Sequence, residues 1–177
     1  VLSDASIMAL VRAEKLVIRP FTLDALGPVS YDVTLGEILL KFDPNIVDLT
    51  CDQSAQCREV PLVDGRWFLE PGRLYLGALA EYVHIPDDLV GFLHGRSTLA
   101  RAGITIHQQA GLLDAGWRGH ATIEISVVYP TWLHPGNPIG QVTFERLTTR
   151  VRRPYSGRYQ SDTKPTPGKP FVREVGP

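Results

Sequence analysis

The hydrophobic pattern of the chain is mostly that of short β-strands. Tyr31, Val33 and Leu35 alternate with polar residues, which places the three apolar side chains on one face of a strand. Further short apolar runs are bounded by Gly, Pro, Asn and Asp, which favour turns. These runs are residues 16–18, 74–76, 82–85, 91–93, 104–106, 121–128 and 142–144. Many short strands with frequent turns predict a β-sandwich or barrel rather than alternating β and α units.

The two ends of the chain depart from this pattern. At the start, Ser3 is of the helix N-cap type, and Ile7 and Leu10 follow at helical spacing, which predicts one short helix. The last residues are rich in Pro, Gly, Lys and Arg and have little apolar periodicity. We therefore predict one β domain over residues 1–151 and a flexible tail over residues 152–177, which is either disordered or closes over a ligand.

Composition and charge narrow the functional classes. With a formal net charge of -1, the chain has no long-range attraction to nucleic acid or to anionic membranes. No apolar run reaches the roughly 18 residues of a membrane helix, and the first residues do not have the pattern of a secretory signal. Cys51 and Cys57 lack the C-x-x-C spacing of zinc and redox sites, so reduced thiols are expected. These features predict a cytoplasmic protein that binds neither nucleic acid nor membranes.

The first segment that concentrates polar chemistry is H-G-R-S-T-L-A-R at residues 94–101. A helical turn after the glycine would place Ser97 and Arg101 on one face, four residues apart. Arg96, Ser97 and Thr98, together with backbone N–H groups, would then suit a phosphate chain. A short surface helix with two solvated arginines has the same pattern, and both interpretations stay open at this point.

Two further segments each carry a candidate acid. Asp114 lies among three glycines in residues 109–119, a composition typical of a tight hairpin with close backbone approaches. Its carboxylate could accept a hydrogen bond from a sugar hydroxyl, or it could simply hold its own turn. In residues 121–127 the alternation of apolar and polar residues places Glu124 on the polar face of a strand. A solvated glutamate fits that pattern as well as a site residue does.

Together and in order, these segments resemble the dCTP deaminase family. G-R-S-T-L-A-R, H-Q-Q-A-G-L-L-D-A-G-W-R-G and A-T-I-E-I are similar to the family's G-R-S-S-L-A-R, A-G-x-I-D-x-G-[FW]-x-G and L-E segments. G-P-V-S-Y-D-V-T-L-G at residues 27–36 and Y-S-G-R-Y-Q at residues 155–160 resemble further landmarks of the family. The resemblance therefore extends over nearly the whole chain.

The resemblance implies a fold, an assembly and a catalytic set. The fold it implies is a distorted dUTPase-like β-barrel that forms a homotrimer, with active sites between subunits. Glu124 would be the general base and proton shuttle for the attack of water on C4 of cytosine. Ser97 and the Ala110 backbone would orient the water and the leaving amine, and Arg101 would support Glu124 and the developing charge.

The resemblance also implies how a nucleotide is held. The triphosphate would lie on the R-S-T segment with Mg²⁺, Asp114 would receive the 3′-hydroxyl, and the tail would fold over the substrate. The substrate-binding residues implied in this way are Arg96, Ser97, Thr98, Arg101, Gln109, Asp114, Tyr155, Arg158, Tyr159 and Asp162. Zinc is not expected, because the chain has neither the H-x-E nor the P-C-x-x-C ligand segment of zinc deaminases. A carboxylate with fixed donors would activate the water instead.

Two positions expected near the cytosine base depart from the family pattern. Gln109 stands where Thr is common, and Asp162 replaces a Gln, so that an anionic acceptor stands in place of a neutral amide. We expect deamination of dCTP, or of a 5-substituted analogue, to dUTP and ammonia in the supply of dUMP and dTTP. The alternatives are a bifunctional dCTP deaminase/dUTPase that releases dUMP and diphosphate, a dUTPase, and a non-catalytic nucleotide-binding protein.

Overall fold

The computed structural model describes residues 1–107 and 110–170 of the chain. The α-helices are α1 (Asp4–Arg12) and α2 (Ser97–Arg101), and 3-10 turns lie at Leu23–Ala25 and Ser54–Gln56. The strands are β1 (Val17–Arg19), β2 (Tyr31–Phe42), β3 (Cys57–Glu59), β4 (Trp67–Leu69), β5 (Leu74–Leu79), β6 (Tyr82–His84), β7 (Leu89–Gly95), β8 (Ile104–Ile106), β9 (Leu112–Leu113), β10 (Arg118–Gly119), β11 (Thr122–Val127), β12 (Thr131–Leu133) and β13 (Pro138–Arg146). Each strand predicted from the hydrophobic pattern is present, and the mainly β prediction is confirmed.

The strands pair antiparallel in three sheets. The largest has the order β8-β11-β5-β2-β13-β7-β9, with β3 also paired to β2, and the smaller sheets are β1-β6-β10 and β12-β4. The long strand β2 pairs with β13 near its start and with β5 near its end, and its register with β5 shifts between Leu35 and Leu39. Such irregularities bend a strand, so one continuous sheet curls around its own core.

The core lies inside this curled sheet and fixes the strand that carries Glu124. On β11, Ile123 and Ile125 are fully buried and Val127 nearly so, whereas the Glu124 side chain on the opposite face is half-exposed. Burying an isoleucine contributes about 1.5–3 kcal/mol, so a one-residue slip of β11 would be strongly unfavourable. The predicted alternation is confirmed, and it gives Glu124 a rigid support.

The N-terminal helix closes one end of the fold. The Ser3 hydroxyl accepts a hydrogen bond from the Ser6 backbone N–H at 3.4 Å, which is the predicted N-cap. Ile7 and Leu10 face the core, and the Leu2 backbone N–H donates to the Phe144 carbonyl at 2.7 Å. The short N-terminal helix is therefore confirmed and is tied to β13.

Candidate active site

A cavity of about 550 Å³ opens on the polar face of β11, within the size range of small-molecule sites. Glu124 and Thr122 form its floor, together with Leu74 and Leu76 of the neighbouring strand β5. The tail forms part of its roof. Its lining among the described residues is Phe42, Val47, Leu49, Gln53, Leu74, Leu76, His107, Ala110, Leu112, Leu113, Asp114, Trp117, His120, Ala121, Thr122, Glu124, Tyr155, Tyr159, Asp162, Thr166 and Gly168.

The cavity brings together six of the residues that the sequence singled out. They are Ala110, Asp114, Glu124, Tyr155, Tyr159 and Asp162. Arg158, which belongs to the same tail segment, instead donates to the backbone carbonyls of Lys169, at 3.3 Å, and of Pro170. Gln109 lies outside the described residues. The tail thus lines the same cavity as Glu124 through its tyrosines and Asp162.

The R-S-T segment lies elsewhere on the subunit. The predicted helical turn is present as α2, where Ser97, Thr98 and Arg101 are exposed and the Arg96 guanidinium lies 3.1 Å from the Asp32 carboxylate. These residues are absent from the cavity lining that the described part of the chain provides. Along the chain, the three residues of β8 lie between α2 and His107, which lines the cavity.

A residue that the sequence did not single out, His107, makes the closest contact with Glu124. The backbone N–H of His107 donates to the Glu124 carbonyl at 2.9 Å, and its ring Nε2 lies 2.7 Å from the Ala110 carbonyl. Its ring Nδ1 is buried and lies 3.0 Å from Oε2 of Glu124. Nδ1 has no hydrogen-bond partner among the described residues, so the contact with Glu124 is an ion pair only when the imidazole is protonated. His107 therefore connects Ala110 to Glu124.

The environment of Glu124 favours its ionised form. Burial raises the pKa of the Glu124 carboxyl, but the His107 imidazole and a backbone hydrogen bond together lower it by more, so the pKa lies below its ordinary value. A carboxylate that is half-buried yet ionised at neutral pH has the charge state that a general base requires.

The glycines around Asp114 allow the tail to approach the hairpin. Gly116 and Gly119 have φ values of +87° and +141°, in the region that favours glycine. A Cβ atom at Gly116 would lie 2.5 Å from Pro154 Cβ, and one at Gly119 would lie 2.9 Å from the Asp162 carbonyl oxygen. The predicted close backbone approach is confirmed, and its partner is the tail of the same chain.

This packing predicts that Gly116→Ala displaces the tail. The added methyl group would collide with Pro154, whereas Gly136, at φ +77°, has open space around it and provides a matched control. Both substitutions carry a similar backbone cost of about 1–2 kcal/mol, so a difference between them reports the collision. We expect trypsin to cleave after Arg152 faster in Gly116→Ala than in Gly136→Ala. Equal cleavage rates would show that the tail does not depend on this contact.

A comparison with protein-family models identifies the chain. The model described as dCTP deaminase-like matches residues 1–147, a range that includes every strand from β1 to β13. The chain belongs to the dCTP deaminase-like family. Because the family match ends before the tail, the boundary at residues 151 and 152 stays a prediction.

Curated relatives and a solved structure agree with the dCTP deaminase-like assignment. A protein of Leifsonia xyli subsp. xyli, named dCTP deaminase, dUMP-forming, is 38% identical over 97% of this chain and 90% of its own length. A protein of Methanopyrus kandleri with the same name is 35% identical over 96% of this chain and 95% of its own length. The expectation of an enzyme of this family is confirmed.

The crystal structure of 2'-deoxycytidine 5'-triphosphate deaminase from Agrobacterium tumefaciens has a similar fold. The two structures match with a TM-score of 0.67 and 24% sequence identity, over 82% of this chain and 47% of that one. This chain thus spans about half the length of that relative. The match confirms the dCTP deaminase fold predicted from the sequence.

In this dCTP deaminase-like protein, the unusual anionic residue of the tail has a partner. The Asp162 carboxylate lies 3.3 Å from the Lys169 ammonium group, and its side chain is only 16% exposed. The Lys169 ammonium group also lies 5.1 Å from the centre of the Tyr159 ring. The His120 backbone N–H donates to the Asp162 carbonyl at 2.8 Å, which fixes the tail at this point. The charge that replaces the expected amide is therefore compensated within the tail.

The far wall of the cavity comes from a loop that the sequence analysis did not assign to the site. Residues 43–56 follow β2, and Val47 and Leu49 of this loop line the cavity. The Gln53 side chain is buried and donates to the carbonyls of Asp48 and Cys51. The Gln53 backbone N–H donates to the Gly168 carbonyl at 3.1 Å, so this loop and the tail meet above the cavity.

Three further expectations concern metals, thiols and membranes. Within residues 1–107 and 110–170, no group of three or more His, Cys, Asp or Glu side chains is placed to hold a metal ion. Cys51 and Cys57 are free thiols. In the same ranges, no helix has the length and apolar character needed to cross a membrane.

Proposed function

We propose that the protein deaminates dCTP and also cleaves its triphosphate, so that it releases ammonia, dUMP and diphosphate. The observation that carries the proposal is the ionised Glu124 on the floor of a cavity that also holds Asp114 and is roofed by the tail. The names of the curated relatives favour dUMP over dUTP, the product expected first from the sequence. We therefore prefer the bifunctional dCTP deaminase/dUTPase over the deaminase that releases dUTP.

In the proposed deamination, Glu124 accepts a proton from water, and the resulting hydroxide attacks C4 of cytosine. The proton then passes from Glu124 to the exocyclic amine, the C–N bond breaks and ammonia leaves. The proton of the added hydroxyl moves to N3, which gives the C4 carbonyl of uracil. Ser97 and the Ala110 backbone orient the water and the amine, and Arg101 stabilises the charge that develops in the transition state. This chemistry uses a carboxylate and fixed donors in place of zinc.

In the proposed second step, water attacks the α-phosphorus and diphosphate leaves, so two water molecules are consumed for each dCTP. Arg96, Ser97 and Thr98 hold the triphosphate, and Mg²⁺ enters with the nucleotide because it is commonly bound through phosphates. Asp114 receives the 3′-hydroxyl of the sugar. Tyr155, Arg158, Tyr159 and Asp162 belong to the tail that covers the substrate, and the resemblance alone assigns Gln109 to the recognition of the cytosine base.

We propose that the complete site forms between subunits of a homotrimer. Within one subunit, the described lining of the cavity that holds Glu124 does not include Arg96, Ser97, Thr98 or Arg101. Their side chains lie on the surface, where a neighbouring subunit can contact them. A cyclic arrangement in which α2 of one subunit meets the cavity of the next would unite all the proposed residues.

The first test is the product pattern with dCTP and Mg²⁺. Purified protein is incubated with dCTP, and ammonia, dUTP, dUMP and diphosphate are quantified over time. We expect ammonia, dUMP and diphosphate in equal amounts, without accumulation of dUTP. Accumulation of dUTP would replace the proposal by a monofunctional deaminase. Turnover of dUTP without ammonia from dCTP would indicate a dUTPase, and no turnover of either nucleotide would overturn the catalytic proposal.

A further inference from the structure

We infer that Gln160 is a positioning residue that holds the tail over the cavity, so that its neighbours Tyr159 and Asp162 face a bound nucleotide. The inference rests on the proposed function, because the ligand that the tail would cover is the nucleotide of that site. Gln160 is absent from the cavity lining that the described residues provide, whereas Tyr159 and Asp162 are part of it. Gln160 would therefore act through these two residues and would not itself touch the substrate.

The side-chain amide of Gln160 makes three hydrogen bonds, each to a backbone group. Its Oε1 accepts from the Arg118 N–H at 3.0 Å, and its Nε2 donates to the carbonyls of Gly116, at 2.9 Å, and of Tyr155, at 3.1 Å. An N–H group can only donate and a carbonyl can only accept, so only this orientation of the amide satisfies every partner. The amide thus takes the place of a peptide group between the hairpin and the tail.

The residues that follow Gln160 extend this pairing through their backbones. The Ser161 N–H donates to the Arg118 carbonyl at 2.8 Å, and the His120 N–H donates to the Asp162 carbonyl, also at 2.8 Å. Among the described strands, β10 is an edge strand of the sheet β1-β6-β10, and a free edge offers its backbone groups to a further segment. The tail occupies this edge, beginning at Gln160.

This pairing joins the tail to the part of the site that would hold the sugar. The hairpin that accepts the tail also carries Asp114, the proposed partner of the 3′-hydroxyl, which lines the cavity. The Trp117 indole N–H of the same hairpin donates to the Tyr159 carbonyl at 3.1 Å. If the pairing is weakened, only the molecules with a docked tail bind the nucleotide tightly, so the apparent affinity falls with their fraction. The chemical step depends on Glu124 and is expected to change little.

Gln160→Glu removes the donor half of the amide with little change in shape. The carboxylate can still accept from the Arg118 N–H, but it cannot donate and would face two carbonyl oxygens. We expect KM for dCTP to rise about 10-fold or more, with kcat for ammonia release within about twofold of the wild-type value. Thr163→Glu, at an exposed position of the same tail, adds the same charge and should behave as the wild type.

Hydrogen exchange of the protein without nucleotide tests the docking of the tail itself. In Gln160→Glu, the Ser161 and His120 amides, which donate across the pairing, should exchange at least about 10-fold faster than in the wild type. The amides of β11 should exchange at the wild-type rate, which shows that the variant is folded. Unchanged exchange at Ser161 and His120 would overturn the inference, and so would an unchanged KM for dCTP.

Binding of dCTP separates the inference from the proposed function. Calorimetry in the Glu124→Gln background measures the affinity without turnover, with and without Gln160→Glu. If Gln160→Glu lowers the affinity but the wild type releases no ammonia from dCTP, the role of Gln160 stands and the proposed reaction fails. If the wild type releases ammonia but Gln160→Glu leaves the affinity unchanged, only the role of Gln160 fails. Absence of any dCTP binding would overturn both.

Discussion

Glu124→Gln is expected to reduce ammonia release from dCTP by at least about 10³-fold, while the affinity for the nucleotide changes little. The substituted amide has nearly the shape of the carboxylate, but it can neither accept the proton of water nor deliver it to the amine. General acid–base catalysis commonly contributes about 10²–10⁴-fold, and here one group serves both transfers. The expected loss is therefore in the upper part of that range.

The measurement combines single-turnover ammonia release with calorimetric binding of dCTP. Glu59→Gln removes a carboxylate from an exposed position on β3, away from the cavity, and serves as the matched control. It should retain the turnover and the affinity of the wild type. If Glu124→Gln kept more than about a tenth of the turnover, another group would have to be the base.

The second large effect is expected when two inactive variants are mixed. Arg101→Ala should lose most of its activity, because the charge that develops in the transition state would no longer be stabilised by the Arg101 guanidinium. If each site takes Glu124 from one subunit and Arg101 from its neighbour, some sites in mixed trimers of Arg101→Ala and Glu124→Gln contain both native residues. Random assembly in equal amounts gives about one quarter of such sites in a closed ring.

If the mixture recovers about a quarter of the activity of the same amount of wild-type protein, the sites are shared between subunits. The variants are unfolded and refolded together, and each variant refolded alone is the control. The mass of the assembly is measured by light scattering. If Arg101 and Glu124 served the same site within one subunit, every site would lack one of them and mixing would restore nothing. An active monomer would exclude the shared site altogether.

The sequence predicted the parts of the fold that depend on local alternation. β2 and β11 are recognisable because several apolar side chains repeat on one face, and the same periodicity placed Glu124 on the polar face. The pairing of β4 with β12 was not predicted. Trp67 and Leu69 are buried on either side of the exposed Phe68, and three residues are too few to establish a period.

The candidate site was predictable where a residue type alone indicates its chemistry. Asp114 and the glycines beside it implied a close approach, but only the fold shows that the approaching segment is the tail. His107 directly follows β8, and nothing local distinguishes it from a surface histidine. Its importance comes from the Ala110 carbonyl and the Glu124 carboxylate, which the fold brings to its two ring nitrogens. The wall formed by residues 43–56 likewise depends on contacts between segments distant in sequence.

The tail rests on both the Asp114 hairpin and the loop at residues 43–56, and this double attachment has a thermodynamic consequence. If a nucleotide binds in the cavity and contacts the tail as proposed, part of its binding free energy is coupled to the docking of the tail. Such coupling is reciprocal. The factor by which the docked tail tightens nucleotide binding is the factor by which bound nucleotide favours the docked tail. Nucleotide concentration in the cell would therefore set how much of the enzyme is closed.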